Sequence, residues 1–349
     1  MKTPDSAFST IRLRTLALML LLLIPVLLIG RNKPDTISFI HITDTHFCNL
    51  AGYHPVIVQG RQHYGEVTDP LISFFRSVPE KLQSDFIVIT GDMIDYYEGE
   101  TALGDMLDTQ VEQLARLLQK THIPVYLTLG NHDIASYMVD PESGRRLSHQ
   151  YHAGHARAAW IRNVPCFRNG TYYSLTFQVD TTNYRLIFLD NAYYAPERPA
   201  GVSFTMDPYQ LYWLDNELKK SDTDIEIVFL HMPLINPESE DLAPTLNKYF
   251  LDPDDTVAIK HELKAPEKDT FDLFSVLRQN SSVRLVMSGH RHSSVTHEVH
   301  LSDDYSLTHL MTGAFGRDSR NWRQIQLTGS SIIISFPGDT RSQFVISLN

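Results

Sequence analysis

The 349-residue chain has only two cysteines, Cys48 and Cys166. Two thiols so far apart exclude a disulfide-framed fold and a zinc–thiolate site, and their spacing does not establish a bridge between them. Basic residues are also scarce, 30 Lys and Arg against 41 Asp and Glu. Beyond the first 34 residues the balance is 25 basic to 40 acidic. That surface does not suit duplex nucleic acid, whose binding leans on Lys and Arg. A small phosphate ester remains open, because bound cations reverse the local field. Internal repeats, low-complexity linkers and long charged, apolar-poor stretches are missing, which leaves a globular chain long enough for one large domain.

The one long apolar run lies at the N-terminus. Lys2, Arg12 and Arg14 precede a stretch from Leu16 to Ile29 without a polar side chain, and Arg31 and Lys33 follow it. A basic flank before a run of this length predicts an export segment over 1–34, either a cleaved signal peptide or a retained anchor. Residues 11–30 would then be the point of membrane association, and the domain over 35–349 would face away from the cytoplasm.

From Thr36 onward, short β-rich runs alternate with helical patterns, the signature of an α/β domain. Strands are expected at Ile37–Thr43, Phe86–Thr90, Pro124–Leu129, Ile225–Leu230 and Val283–Ser288. A hairpin is expected over Tyr172–Val179 and Tyr184–Asp190. A helix over Leu71–Leu82 should break at Pro79. A second runs from Met106 to Lys120, a short one lies near Ala153–Ile161, and another spans Pro208–Lys220 with Asp207 as N-cap. Residues Phe47–Gly65 read as irregular, and 233–270 as a polar insertion over one rim. Tyr305–Thr312, Trp322–Leu327, Ser331–Ser335 and Phe344–Leu348 read as a closing antiparallel series.

Each of the first five strands ends in a polar cluster: Asp44-x-His46, Gly91-Asp92-x-x-Asp95, Gly130-Asn131-His132-Asp133, His231, and Gly289-His290-x-His292. Ligand sites in α/β folds gather at the carboxyl ends of strands. Asp and His two apart on extended chain project to one side, which suits a metal ion, and His290 and His292 repeat the spacing. Any one cluster could be a turn or a cap; five in succession, nearly all of metal-ligand or proton-carrying residues, point to one site. His41, inside the first strand, reads instead as a packed core residue.

In order and composition these blocks resemble the calcineurin-like metallophosphoesterase superfamily. The Gly-Asn-His-Asp and Gly-Asp-x-x-Asp forms are most similar to bacterial class III cyclic-nucleotide-type phosphodiesterases. The resemblance implies an α/β/β/α architecture, a two-sheet β-sandwich flanked by helices, with two metal ions (Mn, Fe or Zn) at one edge. It implies that Asp44, His46, Asp92 and His292 hold one ion, and that Asp92 bridges to a second held by Asn131, His231 and His290. A metal-bound hydroxide would attack the phosphate ester. His132 would protonate the leaving oxygen or stabilise charge, oriented by Asp95 or Asp133. A phosphodiester is the expected substrate, and export favours a nucleotide, a phospholipid or an envelope component as its source. A phosphomonoesterase of purple-acid-phosphatase type fits less well, because the tyrosine three residues after the bridging aspartate is here Asp95. A non-catalytic envelope binding protein on the same fold would have lost one of these residues, and none is lost.

Overall fold

A computed structural model describes residues 34–194, 204–234, 271–337 and 339–348. The expected export segment and nearly all of the 233–270 insertion therefore lie outside the described residues. Residues Asp35–Asn349 form one compact unit.

In chain order the elements are β1 (Thr36–Ile42), α1 (Pro55–Gly65), α2 (Thr68–Ser77), β2 (Phe86–Thr90), β3 (Glu98–Glu100), β4 (Met106–Leu107), α3 (Gln110–Leu118), β5 (Val125–Thr128), β6 (Ser136–Val139), β7 (Arg146–His149), α4 (Ala153–Asn163), β8 (Tyr173–Val179) and β9 (Thr182–Phe188). They continue with β10 (Tyr193–Tyr194), β11 (Phe204–Thr205), α5 (Pro208–Leu218), β12 (Ile225–Phe229), α6 (Leu273–Arg278), β13 (Val283–Ser288), β14 (Val295–Ser302), β15 (Tyr305–Met311), β16 (Arg323–Thr328), β17 (Ser331–Phe336) and β18 (Asp339–Ser347).

Two six-stranded sheets form the sandwich, one ordered β18-β17-β16-β1-β2-β5 and the other β14-β15-β13-β12-β9-β8. The expected fold class holds. Along β1 the side chains alternate: Ile37 and Phe39 enter the layer between the sheets with Phe86, Phe188, Phe229 and Ile325. Ile40 and Ile42 face the helices, where Leu71, Phe74 and Leu114 pack. This period of two, with both faces covered, is why the strand reads as an almost unbroken apolar run. Both sheets have parallel cores, β1-β2-β5 and β9-β12-β13-β15. Their strand ends therefore deliver the polar clusters to one edge.

Several sequence expectations are corrected. Phe47–Gly65 contains α1, capped by the His54 side chain, with Pro55 in its first turn; Pro at that position suits a helix start, since its missing N–H is unpaired there in any case. The second helix begins at Gln110, because Met106 and Leu107 form β4. Strands β3, β4, β6 and β7 make a separate four-stranded sheet from residues where no strand was expected. Strand β14 was not expected at all. The closing strands are not one series: β15 pairs parallel with β13 in the second sheet, whereas β16, β17 and β18 complete the first. The helix break near Pro79 is present, as a π-turn over Val78–Leu82. Both cysteines are unbridged, Cys48 buried and Cys166 half-buried.

Candidate metal centre

The five clusters converge, but not by strand geometry. Strand β1 stops at Ile42, and β13 at Ser288. Asp44, His46, Asp92, His290 and His292 all have left-handed backbones, with φ of 50°, 46°, 47°, 68° and 55°. Among the described residues only Gln83 and Asp180 join them as non-glycine residues of positive φ. The expectation of extended pairs is thus corrected. Extended chain would hold side chains two apart on one side but about 7 Å apart, whereas a left-handed residue at each ligand turns the donors onto a common point. Such conformations cost roughly 1–3 kcal/mol each and persist only where their surroundings hold them. Here the holding bonds are Asp44 N–H to Gly91 O (3.1 Å), His46 N–H to Asp92 O (2.9 Å) and His290 N–H to Asp44 Oδ2 (3.0 Å). The glycines before His290 and Asp92 have a steric reason. A Cβ on Gly289 would collide with Thr43 Oγ1 and the Asp44 carboxylate, and one on Gly91, at φ +80°, with the His231 ring.

The donors fall into two groups. In the first, His292 Nε2 lies 3.2 Å from both Asp44 Oδ1 and His46 Nε2. In the second, His231 Nε2 lies 3.1 Å from Asp92 Oδ2 and 3.1 Å from Asn131 Oδ1, which is 3.0 Å from His290 Nδ1. Asp92 Oδ2 is also 4.0 Å from His46 Nε2, between the groups. Two ligands about 2.1 Å from one ion and at right angles lie about 3 Å apart, so this spacing fits a cation among them. Oxygen and imidazole donors without thiolate suit Mn, Fe or Zn. Asp44 Oδ1 and His290 Nε2 are buried with no hydrogen-bond partner. A buried, unsatisfied carboxylate oxygen is expensive, and a cation would relieve it.

The surrounding bonds set the tautomers. His231 Nδ1 sits 2.8 Å from the Thr90 carbonyl, which requires a proton on Nδ1 and leaves Nε2 as the lone-pair donor. His46 Nδ1 faces Asp95 Oδ1 at 3.2 Å without completing a hydrogen bond, and the carboxylate's charge favours the proton on that nitrogen. Burial lowers His46 to about 4 and His290 to about 3, so both rings are neutral and ligand-ready at pH 7. His231 is the exception. Burial opposes its charge, but Asp92, Asp44 and the Thr90 carbonyl outweigh that and raise it to about 9.

His132 is stacked edge-on to His46, ring centroids 4.7 Å apart, and its backbone N–H donates to Asp92 Oδ1 at 2.8 Å. Its Nδ1 lies 2.8 Å from the Asp95 backbone carbonyl and 3.7 Å from that residue's carboxylate. The Asp95 main chain is thus the nearer orienting group. Asp133 does not orient His132: its carboxylate accepts the N–H groups of Met93, Ile94 and Gly130 and ties the loop after β2 to the loop after β5. His41 is a packed core residue, spanning Thr90 and Thr312 at 2.8 and 2.9 Å beneath the site.

Arg61, inside α1, had no sequence signal. Its Nε donates to Asp95 Oδ2 at 2.6 Å and its Nη2 pairs with Oδ1. His46, Asp95 and His132 also converge, but this carboxylate is already held by Arg61, so the trio supports the ligands rather than forming a third metal position. Tyr64, one helical turn from Arg61, stacks on His46 with ring centroids 4.3 Å apart.

Two buried oxygen-and-imidazole clusters at the strand ends of a helix-flanked sandwich define a metal-dependent phosphoesterase. The chain belongs to the calcineurin-like phosphoesterase family, whose profile matches residues 37–294. The fold is similar to a dimetal phosphatase from Danio rerio, at 15% identity over 91% of this chain and 100% of that one, with a TM-score of 0.56. It is also similar to a PhoD structure, at 13% identity over 90% and 70% of the two chains, with a TM-score of 0.54. No curated protein matches it in sequence.

Proposed function

We propose that the chain is an exported phosphodiesterase. Asp44, His46 and His292 hold one metal ion, Asn131, His231 and His290 a second, and Asp92 bridges them. The observation that carries this reading is the convergence of these donors at 3.0–3.2 Å with the Asp92 carboxylate between the groups. When bound, the ions supply an activated water and take up charge on the phosphoryl oxygens. The chain's own residues do the rest. Thr43 Oγ1, 2.7 Å from Asp44 Oδ2, and the His290 N–H occupy one oxygen of Asp44 and aim the other inward. The Asp95 carbonyl holds the proton on His132 Nδ1, so His132 exchanges its working proton at Nε2, toward the leaving oxygen.

Support for a diester comes from the residue three places after Asp92. It is Asp95, engaged by Arg61 and His46. The next residue, Tyr96, is buried against Tyr53 and Tyr137 rather than turned to the metals. Export rests on the basic, then apolar, N-terminal stretch.

Metal analysis of the purified domain, followed by turnover of bis(p-nitrophenyl) phosphate and p-nitrophenyl phosphate with Mn, Fe and Zn, tests the chemistry. Two metals per chain and at least a tenfold preference in kcat/KM for the diester are expected. A monoester preference would overturn the diester reading, and fewer than two bound metals the dinuclear one. N-terminal sequencing and fractionation of the full chain test export.

A further inference from the structure

The metal centre draws no ligand from the four-stranded sheet β4-β3-β6-β7, yet the inner strands of that sheet set one side chain against His132. Tyr137 lies in β6, with Gly99 of β3 on one side and Ser148 of β7 on the other. Its ring is buried, and its hydroxyl oxygen is 3.2 Å from His132 Nδ1. The two rings stand nearly perpendicular, at 85°, with centroids 6.3 Å apart. Packing leaves the tyrosine no room to swing away. Tyr96 lies against it at 4.9 Å between centroids, the Arg146 guanidinium is 4.6 Å over its ring centre, and that of Arg61 is 5.7 Å away. Guanidinium groups on an aromatic face hold it through the ring quadrupole. Gly99 makes the close packing possible, because a Cβ there would come within 2.8 Å of the Tyr53 ring and 3.0 Å of Tyr96.

The Asp95 carbonyl, 2.8 Å from the same nitrogen, can only accept a hydrogen bond. Nδ1 therefore carries the proton, and Tyr137 Oη is a second acceptor for it in a three-centre bond. A single acceptor would let the imidazole rock about that one bond. Two acceptors, with His46 edge-on at 4.7 Å between centroids, fix the plane of the ring and so the direction in which Nε2 presents its proton. Proton transfer depends steeply on such placement. We propose that Tyr137 is a positioning residue for His132, delivered by the four-stranded sheet, and that its hydroxyl aligns the imidazole with the leaving oxygen. This rests on the proton-transfer role of His132, and the test separates the two.

The test measures metal content, kcat and KM for bis(p-nitrophenyl) phosphate and diphenyl phosphate in wild type, Y137F, H132A and the double variant. Phenylalanine keeps the ring under both guanidinium groups and removes only the acceptor, so Y137F should fold and keep the wild-type metal content. Loss of one hydrogen bond that acts in the transition state should lower kcat about three- to tenfold at unchanged KM. The loss should be larger for diphenyl phosphate, whose leaving phenolate needs its proton more than nitrophenolate does. In the H132A background, Y137F should change kcat by less than about twofold, since its effect passes through the missing imidazole. Wild-type kcat in Y137F overturns the assignment, as does a loss confined to KM or metal content. So does a loss that is equal for the two esters, or equal with and without His132. Wild-type turnover in H132A would instead refute the proton-transfer reading on which the assignment rests.

Discussion

Replacing Arg61 by alanine should damage the metal centre without touching a ligand. Asp95 is fully buried, and burial by itself would raise its pKa. The Arg61 guanidinium and His46 instead hold the carboxyl well below the usual carboxylate range. Without the guanidinium, a buried charge would face only the imidazoles of His46 at 3.2 Å and His132 at 3.7 Å. Breaking a buried pair on one side costs about 3–5 kcal/mol, which denaturant unfolding should read as a lower midpoint at unchanged slope. The orienting role adds a functional loss. Asp95 positions His46 by its side chain and His132 by its carbonyl, and removing such outer support lowers metal affinity or activity by about 10–100-fold. Metal content after gel filtration and kcat measured separately from KM would show it as reduced occupancy and reduced kcat at nearly unchanged KM. R61K keeps the charge but loses the two-pronged geometry, and should recover part of the loss. If Arg61 acts through Asp95, the R61A/D95N double variant should be no worse than the more damaged single variant. Full metal occupancy and wild-type kcat in R61A would refute the reasoning.

His132→Ala should leave both metals bound and lower kcat by roughly 10²–10⁴, and unchanged turnover would remove His132 from the proton transfer. Asp92→Asn should lower metal occupancy itself, read by metal analysis, and retention of two tightly bound metals would refute its bridging role. Chelation should lower the melting temperature by roughly 5–10 °C, since a ligand a thousandfold above its Kd stabilises by about 4 kcal/mol; a scan with and without EDTA checks it. Far from the centre, burial raises Glu226 from 4.5 to about 7. Its folded pKa exceeds the unfolded value, so the folded chain binds the extra proton and stability falls as pH rises from about 4.5 to 7, then levels. Glu226→Gln should therefore match wild type near pH 4 and exceed it by about 3 kcal/mol at pH 8, as denaturant midpoints at the two pH values would show.

The parallel strands and their clusters were legible in the sequence because both properties are local. A strand covered on both faces must be apolar throughout, and its ligands follow within a few residues. The cause of the convergence was not legible. Asp44-x-His46 reads as an extended pair, and nothing in those residues announces left-handed backbones, since the restraint comes from the Gly91 and Asp92 carbonyls some forty-five positions on. Arg61 was missed for the same reason: its partner is distant, and its helix buries only Ile57, Arg61 and Tyr64, too few apolar positions for a helical stripe. Strand β14 alternates Val295, His297, Val299 and Leu301, and its histidine disguised an ordinary period of two. The four-stranded sheet joins two local pairs of short strands, β3–β4 and β6–β7, through the remote pairing of β3 with β6, and strands this short carry too little alternation to be read.

The strain and the charge in the centre point to the same requirement. Five left-handed ligand residues, an orphaned Asp44 oxygen and an orphaned His290 nitrogen are features the fold would shed if packing alone decided the loops. Asp44, Asp92, Asp95 and Asp133 are buried together, and Arg61 is the only arginine paired with any of them among the described residues. In the metal-free chain a proton on His231 has to balance part of that charge. Metal ions would replace that proton with a larger charge and fill the unpaired position at Asp44 Oδ1, so the same arrangement that destabilises the empty centre gives it its affinity. A variant that relaxes the strain, such as Asp44→Gly, should for this reason bind metal more weakly through loss of a ligand while gaining little stability when metal is absent, because the Asp44 carboxylate also accepts the His290 amide and the Thr43 hydroxyl. Metal titration and unfolding in EDTA separate the two effects, and a D44G chain clearly more stable than wild type in EDTA would show that the strain is not held by those bonds.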